Sequence, residues 1–185
     1  QRMTKDIMNR AYITPKRIVT KYAGCKNNLI KDEHYLLERG NGQSEMNRKK
    51  CCIMTSTETE KASLLLDFGS ELHGGLKLVM GSSSRREPSL VRIRFGESVG
   101  EANSTTSNTE WKVGFSTDDH AKRDIIMEIP RDGMIEIGNT GFRFVRLDLL
   151  QNNATISLKE ISAILRYRDI PYLGSFECND QRLNK

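Results

Sequence analysis

Apolar residues recur at every second position in several short segments of this chain. In "LVRIRFG", Val91, Ile93 and Phe95 alternate with Arg92 and Arg94. This is the period of a strand that buries one face and leaves the other in solvent, so the two arginines are predicted to point outward. The pattern predicts short strands separated by turns, with no long helix.

The alternation recurs on both sides of that segment. It is carried by Leu64, Leu66 and Phe68, by Leu76, Leu78 and Met80, by Ile135 and Ile137, and by Ile161, Ala163, Leu165 and Tyr167. The stretch "SELHGG" is predicted to form a turn between the first two groups. In "GFRFVRLDLL" the apolar parity changes between Phe144 and Val145, which predicts a bulge or a strand buried on both faces. We therefore predict an all-β fold, an antiparallel β-sandwich of jelly-roll-like form.

Size and charge narrow the classes of protein. The chain has 185 residues, enough for one domain with a proper core, and 29 basic against 24 acidic residues give a net charge of +5. Most of the bases alternate with apolar residues along strands, and the dense run "NRKK" lacks interleaved aromatics, so solvated strand faces explain the charge better than a phosphate-binding stripe. No window approaches the about 18 apolar residues of a membrane span. Neither a nucleic acid nor a membrane is predicted as a partner.

The four cysteines do not form a recognisable framework. No CxxC pair occurs among Cys25, Cys51, Cys52 and Cys178. The adjacent Cys51 and Cys52 would form a disulfide with each other only with strain. No zinc or other metal site is predicted from them.

The long polar segment from Glu97 to Asp124 holds the candidate ligand-binding residues. Trp111 is a candidate platform for a sugar ring, with anchoring of the loop to the core as an equal alternative. Asp118, Asp119, His120 and Asp124 are candidates to gather around sugar hydroxyls. Calcium is the alternative ligand of this group, although the spacing is not that of a known calcium loop and histidine is a poor calcium ligand; an Asx-turn is the favoured structural explanation. No cofactor is otherwise predicted.

A second polar group lies in "DFGSELHGG". Asp67, Glu71 and His73 could face solvent or a neighbouring domain, and a structural role is favoured over a binding role. From charge alone, Glu97 and Arg143 are predicted to form an ion pair.

The last stretch, "GSFECNDQRLNK", departs from the β pattern. Asn179 and Asp180 are good N-cap residues, and the residues that follow are good helix formers with an apolar residue in the first turn. A helix is therefore predicted to begin here.

Several stretches together resemble the N-terminal β-sandwich region of bacterial α-L-rhamnosidases, glycoside hydrolase family 78 and its relatives. They are "LLLDFGSELHGGLKLV", "VRIRFGESVGEA", "DDHAKRD", "IGNTGFRFVRLDL" and "YRDIPYLGSFECNDQRLNK". In that family, a phrase of the last form leads into the first helix of an (α/α)6 catalytic barrel. The residues here that match its positions are Gly174, Phe176, Cys178, Asp180, Leu183 and Asn184.

The resemblance implies a non-catalytic domain of an inverting α-L-rhamnosidase, whose carboxylates would lie in the barrel, so no catalytic residue is assigned here. It divides the chain into irregular sandwich strands and loops (1–60), the sandwich core (61–173), and a linker with the start of the barrel's first helix (174–185). The implied partners are that barrel, in the same polypeptide, and a rhamnose-containing glycan bound by the parent enzyme. The expected compartment is the periplasm or the cell exterior, with the cytoplasm as the alternative. An autonomous carbohydrate-binding module is the second hypothesis, and a basic adhesion or nucleic-acid-binding domain is the third.

Overall fold

The alternating segments form strands in a computed structural model, which describes residues 8–22, 29–44, 49–104, 123–168, 170–171 and 173–184. The strands in these ranges are β1 Met8–Ile13, β2 Arg17–Tyr22, β3 Ile30–Lys31, β4 Cys52–Ser56, β5 Ser63–Ser83, β6 Ser89–Gly96, β7 Asp124–Ile129, β8 Gly133–Leu149 and β9 Ala154–Arg168. A 3-10 helix, Glu33–Leu37, and a short helix α1, Val99–Asn103, accompany them. None of the helices in the described ranges is long and apolar enough to cross a lipid bilayer.

All strand pairs are antiparallel, and three long strands connect the rest. The order is β3-β4-β9-β5-β8-β6-β7, with β1 added to β9 and β2 added to β5. The first part of β5 pairs with β2 and the end of β8, whereas its second part pairs with the beginning of β8 and with β9. This network closes around one core and confirms the predicted all-β antiparallel sandwich.

Most of the predicted inward residues form that core. Ile135, Ile137 and Leu165 are only partly buried against it, and the alternation fails at Tyr167, which is exposed. The main cluster includes Leu64, Leu66, Phe68, Leu76, Leu78, Met80, Val91, Ile93, Phe95 and Phe142, all buried. The ring of Phe142 packs edge-on against Phe95 and Phe68, with centroids 4.9 Å and 5.9 Å away. Such contacts add to the free energy of burial and fix how β5, β6 and β8 stack.

The irregularity predicted in β8 is present, but it falls between Phe142 and Phe144 and not between Phe144 and Val145. Phe142 and Val145 both lie in the main core, whereas Phe144 joins a second cluster on the other face with Leu65 and Ala102. The pairing of β8 with β5 shifts register at this point, from Asp67 opposite Phe144 to Leu72 opposite Phe142. The strand is therefore irregular and buried on both faces here.

The predicted turn at "SELHGG" is wrong. These residues continue strand β5. The pairing of β5 with β8 shifts register on either side of them, between Asp67 and Leu72 and between Gly74 and Leu76. A Cβ atom on Gly74 would lie 1.7 Å from the carbonyl oxygen of Ile164, so the backbones of β5 and β9 approach more closely than any side chain allows. The glycines favour a turn locally, but their pairing with β9 keeps this segment in the strand.

The outward orientation predicted for Arg94 is also wrong. Its side chain is buried, and its Nη2 lies 2.7 Å from Asp148 Oδ2. Its Nη1 donates to the carbonyl oxygens of Asn103 and Ser104 at the end of α1. Because helix α1 covers this face of β6, the arginine satisfies orphan carbonyls there and is not solvated. Arg92, with its partner Asp124, is only partly buried.

Asp67 is the most strongly held carboxylate of the sandwich. Arg143 donates to both of its oxygens at 2.8 Å and 3.0 Å, Arg17 donates at 2.9 Å, and the backbone N–H of Gly69 donates at 2.8 Å. The hydrogen bonds from Arg143, the backbone bond from Gly69 and the bond from Arg17 outweigh the effect of burial and hold the pKa of Asp67 well below its usual range. These bonds join β2, β5 and β8 at the register shift.

The ion pair predicted between Glu97 and Arg143 does not form. Arg143 binds Asp67, and Glu97 pairs with Arg123 at 2.8 Å. Charge alone did not distinguish these partners, because the choice depends on which strands are neighbours.

We expect Asp67→Asn to lower the free energy of unfolding by about 2–4 kcal/mol near neutral pH, because both arginines lose their charged partner. The folded pKa of Asp67 is depressed, so its contribution is present above the unfolded pKa of about 4 and is lost as the pH falls further. Urea unfolding followed by circular dichroism across a pH series should show the two proteins converging below about pH 4.

The matched control is Glu71→Gln, an exposed carboxylate on the same strand, which we expect to change stability by less than about 0.5 kcal/mol. A gap between wild type and Asp67→Asn that stays constant down to the lowest pH would contradict this account.

Candidate functional site

A surface pocket of about 210 Å³ lies where the 3-10 helix and the loop after it meet the turn before β4 and strand β9. It is lined by Tyr35, Glu38, Arg39, Gly40, Asn41, Lys50 and Lys159. Pockets for drug-sized ligands measure about 300–1,000 Å³. This one therefore suits a smaller ligand, of the size of a single sugar ring.

The 3-10 helix presents Tyr35 to the pocket. Leu36 is buried and joins the main core, which fixes the helix on the sandwich. An ion pair between Lys21 of β2 and Glu33 holds its first turn. The Tyr35 ring contacts the ring of His34, with centroids 4.2 Å apart, and remains partly accessible. One aromatic ring is thereby held at the wall of the pocket.

The loop that follows is held from below by Glu160 of β9. The N–H of Gly42 donates to Glu160 Oε2 at 3.0 Å. A Cβ atom on Gly40 would lie 2.1 Å from the same oxygen, so glycine lets the loop rest on the carboxylate. Further along the loop, the Ser44 hydroxyl donates to the carbonyl of Met80 at 2.8 Å. These bonds fix the wall that carries Arg39 and Asn41.

Glu160 is itself half of a buried ion pair. Its Oε1 lies 2.9 Å from Lys77 Nζ, with the two side chains 8% and 9% exposed, and the hydroxyl of Ser162 also donates to it. Burial raises the pKa of Glu160, but the hydrogen bonds from Ser162 and Lys77 outweigh it and lower the pKa overall. Lys77 Nζ also lies 4.6 Å from the centre of the Tyr12 ring, a cation–π contact.

The pocket carries a positive balance of charge. Arg39, Lys50 and Lys159 line it together with one carboxylate, Glu38. Lys50 has a φ of 51°, in the left-handed region that lysine rarely occupies. The next residue, Cys51, is buried, which fixes the chain immediately after Lys50.

The sequence interpretation missed this pocket. It took residues 38–50 as a polar connector and set aside the run "NRKK" for want of nearby aromatics. In the fold, Lys50 lies beside Tyr35 and Lys159, which are 15 and 109 positions away in the chain. A long-range contact supplies the missing aromatic, and no local signal could have predicted it.

Of the candidate sugar-binding residues from the sequence, Asp124 lies in the described part of the chain, where it pairs with Arg92. Trp111, Asp118, Asp119 and His120 all lie outside the described residues, so their assignment stays a prediction. Within the ranges that are described, no group of three or more His, Cys, Asp or Glu side chains is positioned to hold a metal ion.

The group at "DFGSELHGG" has the structural role that the sequence favoured. Asp67 is buried in its ion pairs, whereas Glu71 and His73 are exposed on β5. The three side chains therefore do not form one site.

The C-terminal segment forms a single capped turn at the point where a helix was predicted to begin. Asp180 Oδ1 accepts from the N–H of Arg182 at 3.0 Å, and the Asp180 carbonyl accepts from the N–H of Leu183 at 3.0 Å. The Asn184 side chain bonds the backbone of Cys178 in both directions. Four large apolar side chains of this segment are exposed, namely Ile170, Leu173, Phe176 and Leu183.

Solved structures share this sandwich. A rhamnosidase from Klebsiella oxytoca with rhamnose bound matches 96% of the chain with a TM-score of 0.63 and 16% identity. A GH78 family rhamnosidase of Bacillus sp. GL1 matches 73% with a TM-score of 0.51 and 19% identity. A fucolectin from Morone saxatilis (striped bass) serum matches 85% with a TM-score of 0.51 and 17% identity. At these identities the likeness establishes the fold.

The chain spans 33% of the Klebsiella structure, 13% of the Bacillus structure and 50% of the fucolectin structure. No protein-family model matches it, and no curated protein does either. The class established here is therefore an all-β sandwich of the kind found in both rhamnosidases and lectins.

We expect Glu160→Gln to lower the free energy of unfolding by about 3 kcal/mol, because it leaves the Lys77 ammonium buried without a countercharge. The loop at Gly42 should also open more often, since its anchoring acceptor is weakened. Denaturant unfolding measures the first effect, and faster amide hydrogen exchange at Gly42 measures the second.

Glu128→Gln, an exposed carboxylate on β7, is the control and should change neither quantity. The double variant Lys77→Met with Glu160→Leu should recover part of the lost stability because no charge is then buried. Equal loss in the single and double variants would contradict the explanation by an unpaired charge.

Proposed function

We propose that this chain is a non-catalytic carbohydrate-binding β-sandwich domain of an α-L-rhamnosidase-like glycosidase. The observation that carries the proposal is the match of 96% of the chain to one part of the Klebsiella oxytoca rhamnosidase, at a TM-score of 0.63. The sequence motifs quoted above support the same relationship independently of the fold.

The exposed apolar side chains near the C-terminal end support packing on a second domain. Leu173 is 94% exposed and Phe176 is 70% exposed, and both follow the last strand. Large apolar side chains that are exposed close together in the sequence suit an interface, and contacts between domains of one chain are a common kind of interface. Under the proposal, they pack on the catalytic (α/α)6 barrel of the same polypeptide.

The composition of the pocket suits binding better than hydrolysis. Glycoside hydrolysis uses two carboxyl groups that flank the scissile bond. Among the described residues that line the pocket, Glu38 is the one carboxylate. An aromatic ring, an amide and several cations around one carboxylate can hold a sugar, but they do not form an acid and base pair.

An autonomous carbohydrate-binding module is the second candidate. The match to the fucolectin, over 85% of the chain, favours it, because that protein is a lectin with the same fold. A fold alone does not define a function, so the shared sandwich does not choose between the two candidates. Both use the same sugar-binding pocket, and they differ in whether the chain acts together with a catalytic domain.

We expect the chain to bind monosaccharides weakly, with dissociation constants in the millimolar range, and to turn over no aryl rhamnoside. Titration with L-rhamnose and other sugars, followed by NMR of the labelled protein, should shift the amide signals of Tyr35, Gly40 and Asn41. Tyr35→Ala should abolish those shifts, whereas Tyr22→Ala, an exposed tyrosine on β2, should preserve them.

Flat titrations with every sugar would reject carbohydrate binding. Hydrolysis of an aryl rhamnoside by a pure sample would reject the non-catalytic role.

A further inference from the structure

We infer that the pocket selects a sugar that carries a negative charge, a carboxylate or a sulfate group, through Arg39 and Lys50. This inference rests on the proposed function, that the chain binds carbohydrate at this pocket, and adds the chemical class of the ligand.

The first argument is the imbalance of charge at the pocket. Arg39 and Lys50 are both exposed there, and neither forms an ion pair with a side chain in the described part of the protein. Lys159 of β9 and the carboxylate of Glu38 also line the pocket. A concave surface with unneutralised positive charge attracts anions, and guanidinium and ammonium groups bind carboxylate and sulfate oxygens well.

Comparison with the strands strengthens this argument. Arg92, Arg94 and Arg143 each pair with an aspartate at hydrogen-bond distance. Where the fold uses cations structurally, it therefore neutralises them. Arg39 and Lys50 differ from these three arginines, because they are exposed and form no side-chain ion pair within the described ranges.

The second argument is the backbone of Lys50. Its φ of 51° lies in the region where a Cβ atom crowds the neighbouring carbonyl, so glycine or asparagine would fit with less strain. Residues held in such conformations cluster at ligand-binding sites, where the surrounding structure enforces them. A lysine at this position gives the pocket an ammonium group but leaves the backbone in a strained conformation.

The third argument is the combination of groups. The partly accessible ring of Tyr35 offers an apolar face to the C–H bonds of a sugar ring. Asn41 also lines the pocket; its amide oxygen accepts from the N–H of Gln43 at 3.1 Å, and its amide NH2 group can donate to sugar hydroxyls. An aromatic face, an amide and two unpaired cations match a uronic acid or a sulfated sugar more fully than a neutral sugar.

The test compares charged and neutral sugars of one shape. Methyl glucuronide and methyl glucoside, and glucose 6-sulfate and glucose, are titrated at low and high salt. We expect each charged sugar to bind at least tenfold more tightly than its neutral counterpart at low salt. That advantage should shrink as salt rises, because added ions screen the exposed charges. Comparing the two charged sugars shows whether the carboxylate or the sulfate is preferred.

Lys50→Gly separates binding from folding. It removes the ammonium group and relieves the strained φ, so its melting temperature should equal or exceed that of the wild type. Its affinity for the charged sugar should fall about fivefold or more, toward that of the neutral one, with the neutral affinity unchanged. Arg39→Gln should behave alike in binding, and Lys31→Gln, an exposed lysine on β3, should change nothing.

The outcomes separate this inference from the proposed function. Equal affinity for charged and neutral sugars would overturn the inference and leave carbohydrate binding intact. Binding of no sugar would overturn both. Binding of inorganic sulfate as tightly as the sugar sulfate would also overturn the inference, because the pocket would then bind anions without recognising a sugar.

Discussion

The buried carboxylate of Asp67 is the interaction on which the rest of the sandwich depends. It lies where β5 shifts register and changes its neighbours from β2 and the end of β8 to the beginning of β8 and β9. A charge buried at such a point is stable only when it is fully paired, and Arg143, Arg17 and the N–H of Gly69 supply that pairing. The same bonds therefore neutralise the charge and hold β2, β5 and β8 together at the register shift, where β5 changes its partner strands.

The pocket depends on a second buried charge of the same kind. Glu160 is paired with Lys77 inside the sheet, and its remaining oxygen holds the loop that carries Arg39 and Asn41. The core thereby holds the loop in one conformation, and a preorganised loop loses less entropy on binding any ligand. The buried carboxylates of Asp67, Asp148 and Glu160 are each paired with a basic side chain, whereas Arg39 and Lys50 are exposed.

The fold and the site carry different parts of the functional argument. Rhamnosidases and a fucolectin share this sandwich at 16–19% identity, so the architecture is compatible with a domain of an enzyme and with a lectin. The pocket is what favours carbohydrate binding within that range. The exposed apolar residues after β9 are the second feature on which the proposed function rests, because they suit packing on a neighbouring domain.

The sequence by itself determined the fold class, most of the inward residues of the strands and the irregularity of β8, because alternation with period two depends on near neighbours in the chain. It also indicated a cap at Asn179 or Asp180. The tertiary structure alone decided that "SELHGG" is strand, that Arg94 is buried, and that Arg143 binds Asp67 in preference to Glu97. It also decided the pocket, since Tyr35, Lys50 and Lys159 meet only when β9 and the segment before β4 are brought together. Backbone periodicity is local, but ion pairs and binding sites depend on which distant strands become neighbours.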